Sequence, residues 1–316
     1  MNVLAPSTQI LDDLDQKSLP VRIEYCGRIC YKSEDRIDEQ SAIPFVQKMA
    51  EHGHNSVLEM GAVSFLVSGA TSQQVEAFFL CQPKYLQVDR LEEDTLLISG
   101  TVRGLKEMFV FYPENPLVQA LTRQLADAHP YFYLKPGLVP LTIEHPANIR
   151  IQRMSLEKVE QLPPKLMAKH RYLAVKFIVN RAVTHELVRH RPCSFLQESQ
   201  RYCRYSADKF GNEVTFIKPL FYDENSEEYA LWVRAMEETE KIYLELLKTS
   251  TPQAARTVLP NSCKTEIIVY TTLEHWQHIC ALRTPANADP SMREVMIPLQ
   301  EELALRYPNL FTTLQA

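Results

Sequence analysis

The sequence predicts a mixed α+β fold. Three observations carry that prediction. Short apolar segments alternate large and small residues and end at Gly or Asn, which is the pattern of strands with one or both faces covered. A helical stretch begins almost at once after each of them. From Ser226 the pattern changes to one long helical period.

The elements follow in order. After an apolar stretch around "VRIEYCGRICYKS", the run "EQSAIPFVQKMAEHG" reads as a helix. Ser41 and Pro44 suit its first turn and Gly53 its stop. "GAVSFLVSG" sets Val63, Phe65 and Val67 against smaller or polar neighbours and reads as a strand ending at Gly69. "TSQQVEAFFL" then reads as a helix. "TLLISG" with "TVRGLKEMFVFY", and "AVKFIVN" with "RAVTHELVRHR", show the same strand-then-helix grammar. These three units are too short and divergent to count as a sequence repeat. Residues about 112–168 are rich in proline and read as irregular connection with short elements, the expected insertion or linker. "SEEYALWVRAMEETEKIYLELLKTS" places Trp232, Met236, Tyr243 and Leu246 on one helical face, with acidic residues at its start and Lys248 at its end. "TPQAARTVLP" reads as a short helix halted by Pro260, and "TEIIVYTTLEHWQHICALRT" as a strand turning into a helix.

Composition narrows the function. The chain has 316 residues, 45% hydrophobic and 23% charged, with net charge −5, so a chain-wide basic footprint for nucleic acid is absent. With only 8 glycines and no G-x-G-x-x-G or Walker-type loop, a phosphate must be held by side chains or helix N-termini. The cysteine count of 7 is odd and contains no C-x-x-C, which argues against a disulfide framework or zinc ribbon and points to a reducing cytoplasm. No signal peptide is expected from "MNVLAPSTQILDDLDQ", and no apolar run is long enough to span a bilayer.

Against that acidic background, "RHRPCSFLQESQRYCRYS" gathers Arg189, His190, Arg191, Arg201 and Arg204. Pro192 disfavours helical geometry at Arg191, so the helix "AVTHELVRH" is expected to finish there, with Arg189 and His190 in its last turn and Arg191 at the exit. The loop beyond it would bring Ser199 and Arg201 back alongside. Arginines gathered this closely repel one another unless an anion sits among them, and a phosphate accepts bidentate arginine bonds.

"RHR", seven residues, then Ser199 and "QRY" resembles the signature of flavin-dependent thymidylate synthases. "EHGHNSVLEMGAVSFLV", "VTHELVRHR", "ARTVLP" and "HWQHICALR" are similar to further landmarks of that family. The resemblance covers roughly residues 20–70 and 170–300. It implies a single domain over 1–316 with a central, mostly antiparallel sheet and flanking helices, extended by an insertion at about 75–168. It also implies a methyltransferase that converts dUMP to dTMP, using FAD as cofactor and methylenetetrahydrofolate and NADPH as co-substrates. A homotetramer with active sites shared between subunits would follow.

The resemblance assigns roles residue by residue. Arg189, His190 and Arg191 match the flavin-contacting triplet, with Ser56, His54 and His278 around the same cofactor. Glu186, Arg189, Gln197, Ser199, Gln200, Arg201, Arg256 and Arg283 match positions around dUMP. Ser199, Arg201 and Arg256 would take its phosphate. Arg283 would lie against the uracil, where a fixed cation favours charge building at N3 and O4. Arg283 and Ser199 are thus the candidates for a chemical role, although no dedicated base stands beside Ser199 in the sequence, and phosphate binding suits it better.

The chain also departs from the family. Thr272, Leu273 and Glu274 stand where Asn-Ala-Arg is usual, Met60 stands where a histidine is common, and "TPANADPSMREV" carries a short insertion before Glu294. A diverged member that binds flavin and nucleotide but hydroxymethylates or is inactive is therefore the alternative. A nucleic-acid binder is disfavoured by the single concentrated cluster. A metal enzyme built on His275, His278 and Cys280 lacks the H-E-x-x-H spacing and a supporting carboxylate, so no metal is expected.

Overall fold

The structure, a computed structural model, describes residues 1–33, 37–133, 146–207 and 211–312. In chain order its first half runs β1 (Asn2–Leu4), β2 (Ser7–Ile10), α1 (Leu19–Arg28), α2 (Glu39–Glu51), β3 (Ala62–Ser68), α3 (Ser72–Leu80), β4 (Leu86–Arg90), β5 (Leu96–Thr101), α4 (Val102–Phe111), α5 (Pro116–Ala128), and β6 (Arg150–Arg153). The second half runs α6 (Leu156–Glu160), α7 (Pro164–His170), β7 (Tyr172–Asn180), α8 (Arg181–Leu187), β8 (Ser194–Gln197), β9 (Thr215–Ile217), α9 (Glu227–Thr249), α10 (Pro252–Ala255), β10 (Lys264–Thr272), α11 (Leu273–Arg283) and α12 (Pro290–Arg306).

The expected α+β class holds, with mostly antiparallel sheets flanked by helices. One four-stranded sheet has the order β2-β7-β10-β8, a second the order β4-β5-β3-β6, and β1 pairs with β9 in parallel. In the first sheet β10 is an inner strand, with Val269 opposite Val175 on one side and Phe195 on the other. Its alternation shows that both faces are covered. Ile267 and Val269 join Phe177, Trp276 and Leu299 under α11 and α12, while Ile268 and Tyr270 point the other way and join Leu58, Met60 and Leu196. Trp276 is fully buried and donates its indole N–H to the Leu173 carbonyl at 3.2 Å. Val63, Phe65 and Val67 of β3 are buried as the sequence predicts. Gly69 turns the chain after them at φ +77, where a Cβ would also collide with the Asn148 carbonyl.

Two expectations need correction. The proline-rich stretch 112–168 is not mainly irregular. It contains α5, β6, α6 and α7, because Pro116 and Pro164 occupy first helical positions, where a missing N–H costs nothing. Residues 134–145 of that stretch lie outside those described. Likewise, the helix before Pro192 does not take in Arg189 and His190, the residues expected in its last turn. It ends at Leu187, and the amides of Arg189 and His190 bond the carbonyls of Glu186 and Leu187, three residues back. A tight turn, not a last helical turn, therefore carries the basic run.

The segment 75–168 supplies β4, β5 and β6, all of which assemble on β3 or its neighbour. Its Phe78, Ile98, Leu121 and Phe132 share one core with Ile23, Leu58 and Ile268. A buried polar line also ties α7 to the second sheet. Ser99 Oγ lies 2.6 Å from Ser64 Oγ and 2.8 Å from His170 Nδ1, whose Nε2 lies 3.1 Å from Asp89. The residue types are those of a nucleophile, base and orienting acid. However, Ser99 is fully buried, so the line joins β5 and β3 to α7 as a structural tie.

Candidate active site

Asn180 caps α8 through Val183 N, and the short helix hands Glu186 to the turn that follows. Across from it, Arg283 is the last residue of α11. The two side chains form an ion pair through Arg283 Nη1, and Arg283 Nε donates to His190 Nε2 at 2.9 Å. The ring of His278 stands edge-on to His190, with centroids 6.4 Å apart. Accepting from a guanidinium requires His190 to be neutral at Nε2. Its pKa is lowered to about 4, by burial first and then by the positive charge of Arg283 and the neighbouring His278. A histidine depressed in this way favours the folded state fully above its ordinary value near 6.5, and that contribution is lost as pH falls toward 4. In NMR titration, His190 is expected to stay neutral at pH 6, and Arg283→Ala is expected to raise its midpoint.

A second group forms where the loop after β8 meets α10. Ser199 donates its amide to the Cys30 carbonyl, and its hydroxyl accepts from Arg201 N at 3.3 Å. Arg201 Nε reaches Gln253 of α10 at 3.3 Å, and its guanidinium lies 5.6 Å from the centroid of the Tyr202 ring. Arg256 begins the turn directly after α10, so Arg201 and Arg256 come to the same short helix. Gln200 is buried, and its Nε2 has no hydrogen-bond partner among the described residues. Gln197 is held by Thr184 and Thr265, each at 3.1 Å.

Of the residues expected at the site, Glu186, His190, His278 and Arg283 are brought together directly. Ser199 and Arg201 belong to the second group, with Gln200 between them in the same loop and Arg256 directly after α10. Arg189 and Arg191 are exposed, and neither guanidinium has a hydrogen-bond or ion-pair partner among the described residues. His54 and Ser56 are exposed in the turn after α2. They make no side-chain bond to either group, although the 3₁₀ turn Val57–Met60 that follows them packs against β8. Thr272 proves to be the N-cap of α11, Leu273 is buried, and Glu274 is exposed in the first turn. Sequence reasoning missed Gln253 altogether. It also missed a buried charge network in which Lys264 Nζ bonds Glu198 at 2.9 Å and Glu266 at 2.6 Å. The signal for the latter was present, since Lys264 and Glu266 lie on one face of a strand. Among the described residues no cluster of three or more His, Cys, Asp or Glu could hold a metal, and no helix is long and apolar enough to cross a membrane.

Residues 156–309, which contain both groups, match the family model described as Thy1, thymidylate synthase complementing protein. That match takes in just under half of the chain. Among curated relatives it is 38% identical over 128 residues to a flavin-dependent thymidylate synthase of Pyrococcus abyssi, covering 40% of this chain and 52% of that protein. It is 33% identical over 153 residues to one of Corynebacterium efficiens, covering 43% and 59%. The chain therefore spans little more than half the length of these Thy1 relatives. A solved structure of the UMP/dUMP methylase PolB from Streptomyces cacaoi, bound with 5-Br dUMP, aligns over 51% of this chain and 82% of its own at 19% identity. Its TM-score of 0.38 by itself establishes no shared fold.

Proposed function

We propose that this protein is a flavin-dependent thymidylate synthase, methylating dUMP to dTMP with methylenetetrahydrofolate as carbon donor and NADPH as reductant. The observation that carries the reading is that the cluster of Arg283, Glu186 and His190 and the Ser199–Arg201 loop both lie inside the matched segment. The residues fit the ligands the reading requires. Arg201 and Arg256 at one helix suit a nucleotide phosphate. Gln200 Nε2 is a buried donor with no acceptor among the described residues, and leaving it so is costly unless a ligand supplies one. Arg189, Arg191, His190 and His278, with His54 and Ser56, would hold the FAD, whose anionic groups suit two unpartnered guanidinia.

When bound, the flavin supplies the hydride that completes the methyl group. The protein's own part is positioning and charge. Arg283, fixed by Glu186 and by the acceptor nitrogen of neutral His190, presents a cation at a set orientation to the uracil edge. There it stabilises negative charge without having to reorganise. Ser199 is engaged by the Arg201 amide, with no base at hydrogen-bond distance among the described residues, which supports a phosphate-binding role for it. The proposal includes a homotetramer with shared sites in a reducing cytoplasm.

The dUMP part is tested by calorimetric titration. Arg201→Ala is expected to weaken dUMP binding about tenfold or more, the scale of one lost charge-assisted hydrogen bond, while deoxyuridine binding changes little. Equal loss for both ligands would contradict a phosphate role.

A further inference from the structure

The two four-stranded sheets repeat one plan. With one strand of each sheet, β6 and β2, set aside, the inner pair is a first and a last strand, β3 with β5 and β7 with β10. The strand that follows the first helix, β4 or β8, pairs outside the last strand. A fourth strand, β6 or β2, pairs outside the first, and every pairing is antiparallel. The helices follow the same plan. β3 leads into α3 and β7 into α8. β5 leads into α4 under a Thr101 cap, and β10 into α11 under a Thr272 cap. Next come α5 and α12, which pack on α4 and α11. Each starts with proline at its first helical position, behind Asn115 or Asp289.

The spacing agrees as well. The cap Thr71 stands as far before Pro83 as the cap Asn180 stands before Pro192. In that register Leu80, Cys81 and Gln82 take the places of Arg189, His190 and Arg191, and Ala77 takes that of Glu186. Counting from the caps Thr101 and Thr272, Tyr112 takes the place of Arg283. The first unit thus keeps the framework and has lost every charged group of the cluster.

Equivalent corners of the two units line one cleft of about 660 Å³. Lys84, Thr101 and Arg103 come from the first unit, and Arg191, Phe195 and Thr272 from the second. Arg103 is balanced by Glu59 and Glu107 at 2.5 and 2.6 Å. Lys84 and Arg191 have no side-chain partner among the described residues, which leaves the cleft net positive across the junction. Aromatic surface from Tyr85 and Tyr270 lines the same space.

We propose that the chain is an internal pair of equivalent units, and that the first serves as the second wall of one composite site, where Lys84 binds a planar, phosphate-bearing ligand beside Arg191 and Arg103 holds that wall in place through Glu59 and Glu107. The segment 75–168 is then most of a second, emptied unit and not an insertion. The ligand follows from the reading above, on which this inference rests, and the probe is FAD. Each chain holds one equivalent, because only one unit retains the arginines.

The test is titration of FAD into the intact chain, followed by flavin fluorescence, with equilibrium dialysis for stoichiometry. One FAD per chain is expected. Lys84→Glu, at an exposed position, is expected to weaken binding about tenfold or more, while Lys241→Glu on exposed α9 leaves it unchanged. Two equivalents per chain, or unchanged affinity in both Lys84→Glu and Arg103→Gln, would overturn the proposal. If the unaltered protein binds no FAD at all, the flavin reading fails and takes the composite site with it.

Discussion

Arg283→Ala is expected to lower dTMP formation, measured as kcat/KM for dUMP, by about two to three orders of magnitude, the range seen when one preorganised charge-stabilising donor is removed. The side chain ends α11 and reaches both Glu186 and His190, so its orientation is set before any substrate arrives. Its removal also leaves Glu186 without its cation. A negative charge would then stand where the reaction builds more negative charge, and that compounds the loss. The substitution sits at a half-buried helix end, so the fold should persist and its circular dichroism should remain that of the parent. Rate loss with an unchanged fold and an upward-moving His190 titration is the combined signature. An Arg283→Ala enzyme of near-normal kcat/KM would remove Arg283 from the chemistry.

The largest stability effect is expected at Lys264→Met. Lys264 is the cation shared by the buried carboxylates of Glu198 and Glu266. Taking one partner from a buried ion cluster costs about 3–5 kcal/mol, because the remaining charges stay desolvated. Burial alone would raise the pKa of Glu266, yet the ammonium groups of Lys264, Lys32 and Lys176 outweigh it and lower the value to about 2. Lys176 acts as an ion pair at 3.1 Å from Oε2, an atom without a hydrogen bond of its own. A carboxylate depressed in this way contributes stability that is fully present above its ordinary value near 4.5, and that is lost as pH falls toward 2. Urea unfolding of Lys264→Met should therefore show the loss at neutral pH and a smaller difference in acid. A variant as stable as the parent at pH 7 would show that the network contributes little.

The strand-then-helix units were legible because their signals are local. Val63, Phe65 and Val67 alternate, Gly69 stops the strand, and threonine or asparagine caps start each helix. Proline misled in both directions. At 116 and 164 it marks helix starts that resemble loop composition. At 192 it suggested a helix running to His190, whereas the chain tightened after Leu187. Pairing was not legible at all. Nothing in β3 announces that β5 and β6 flank it, because register is settled by contacts far apart in sequence. For the same reason the likeness of the two sheets is plain in strand order and faint in residues.

The candidate site divides in the same way. Arg189, His190, Arg191, Ser199 and Arg201 stand in one run, and the resemblance of that run to a family signature singled them out. That Arg283 would meet Glu186 and His190, from opposite ends of the matched segment, required the fold. Gln253 and the Lys264 network carry no motif, and only three-dimensional packing assigns them partners.

The most direct test of the central claim is product analysis. The protein is incubated without oxygen with dUMP, methylenetetrahydrofolate, NADPH and FAD, and the nucleotides are resolved by mass spectrometry. The account predicts dTMP that requires all four components and falls away in Arg283→Ala. A hydroxymethylated product, or unchanged dUMP from protein that binds both dUMP and FAD, would contradict it.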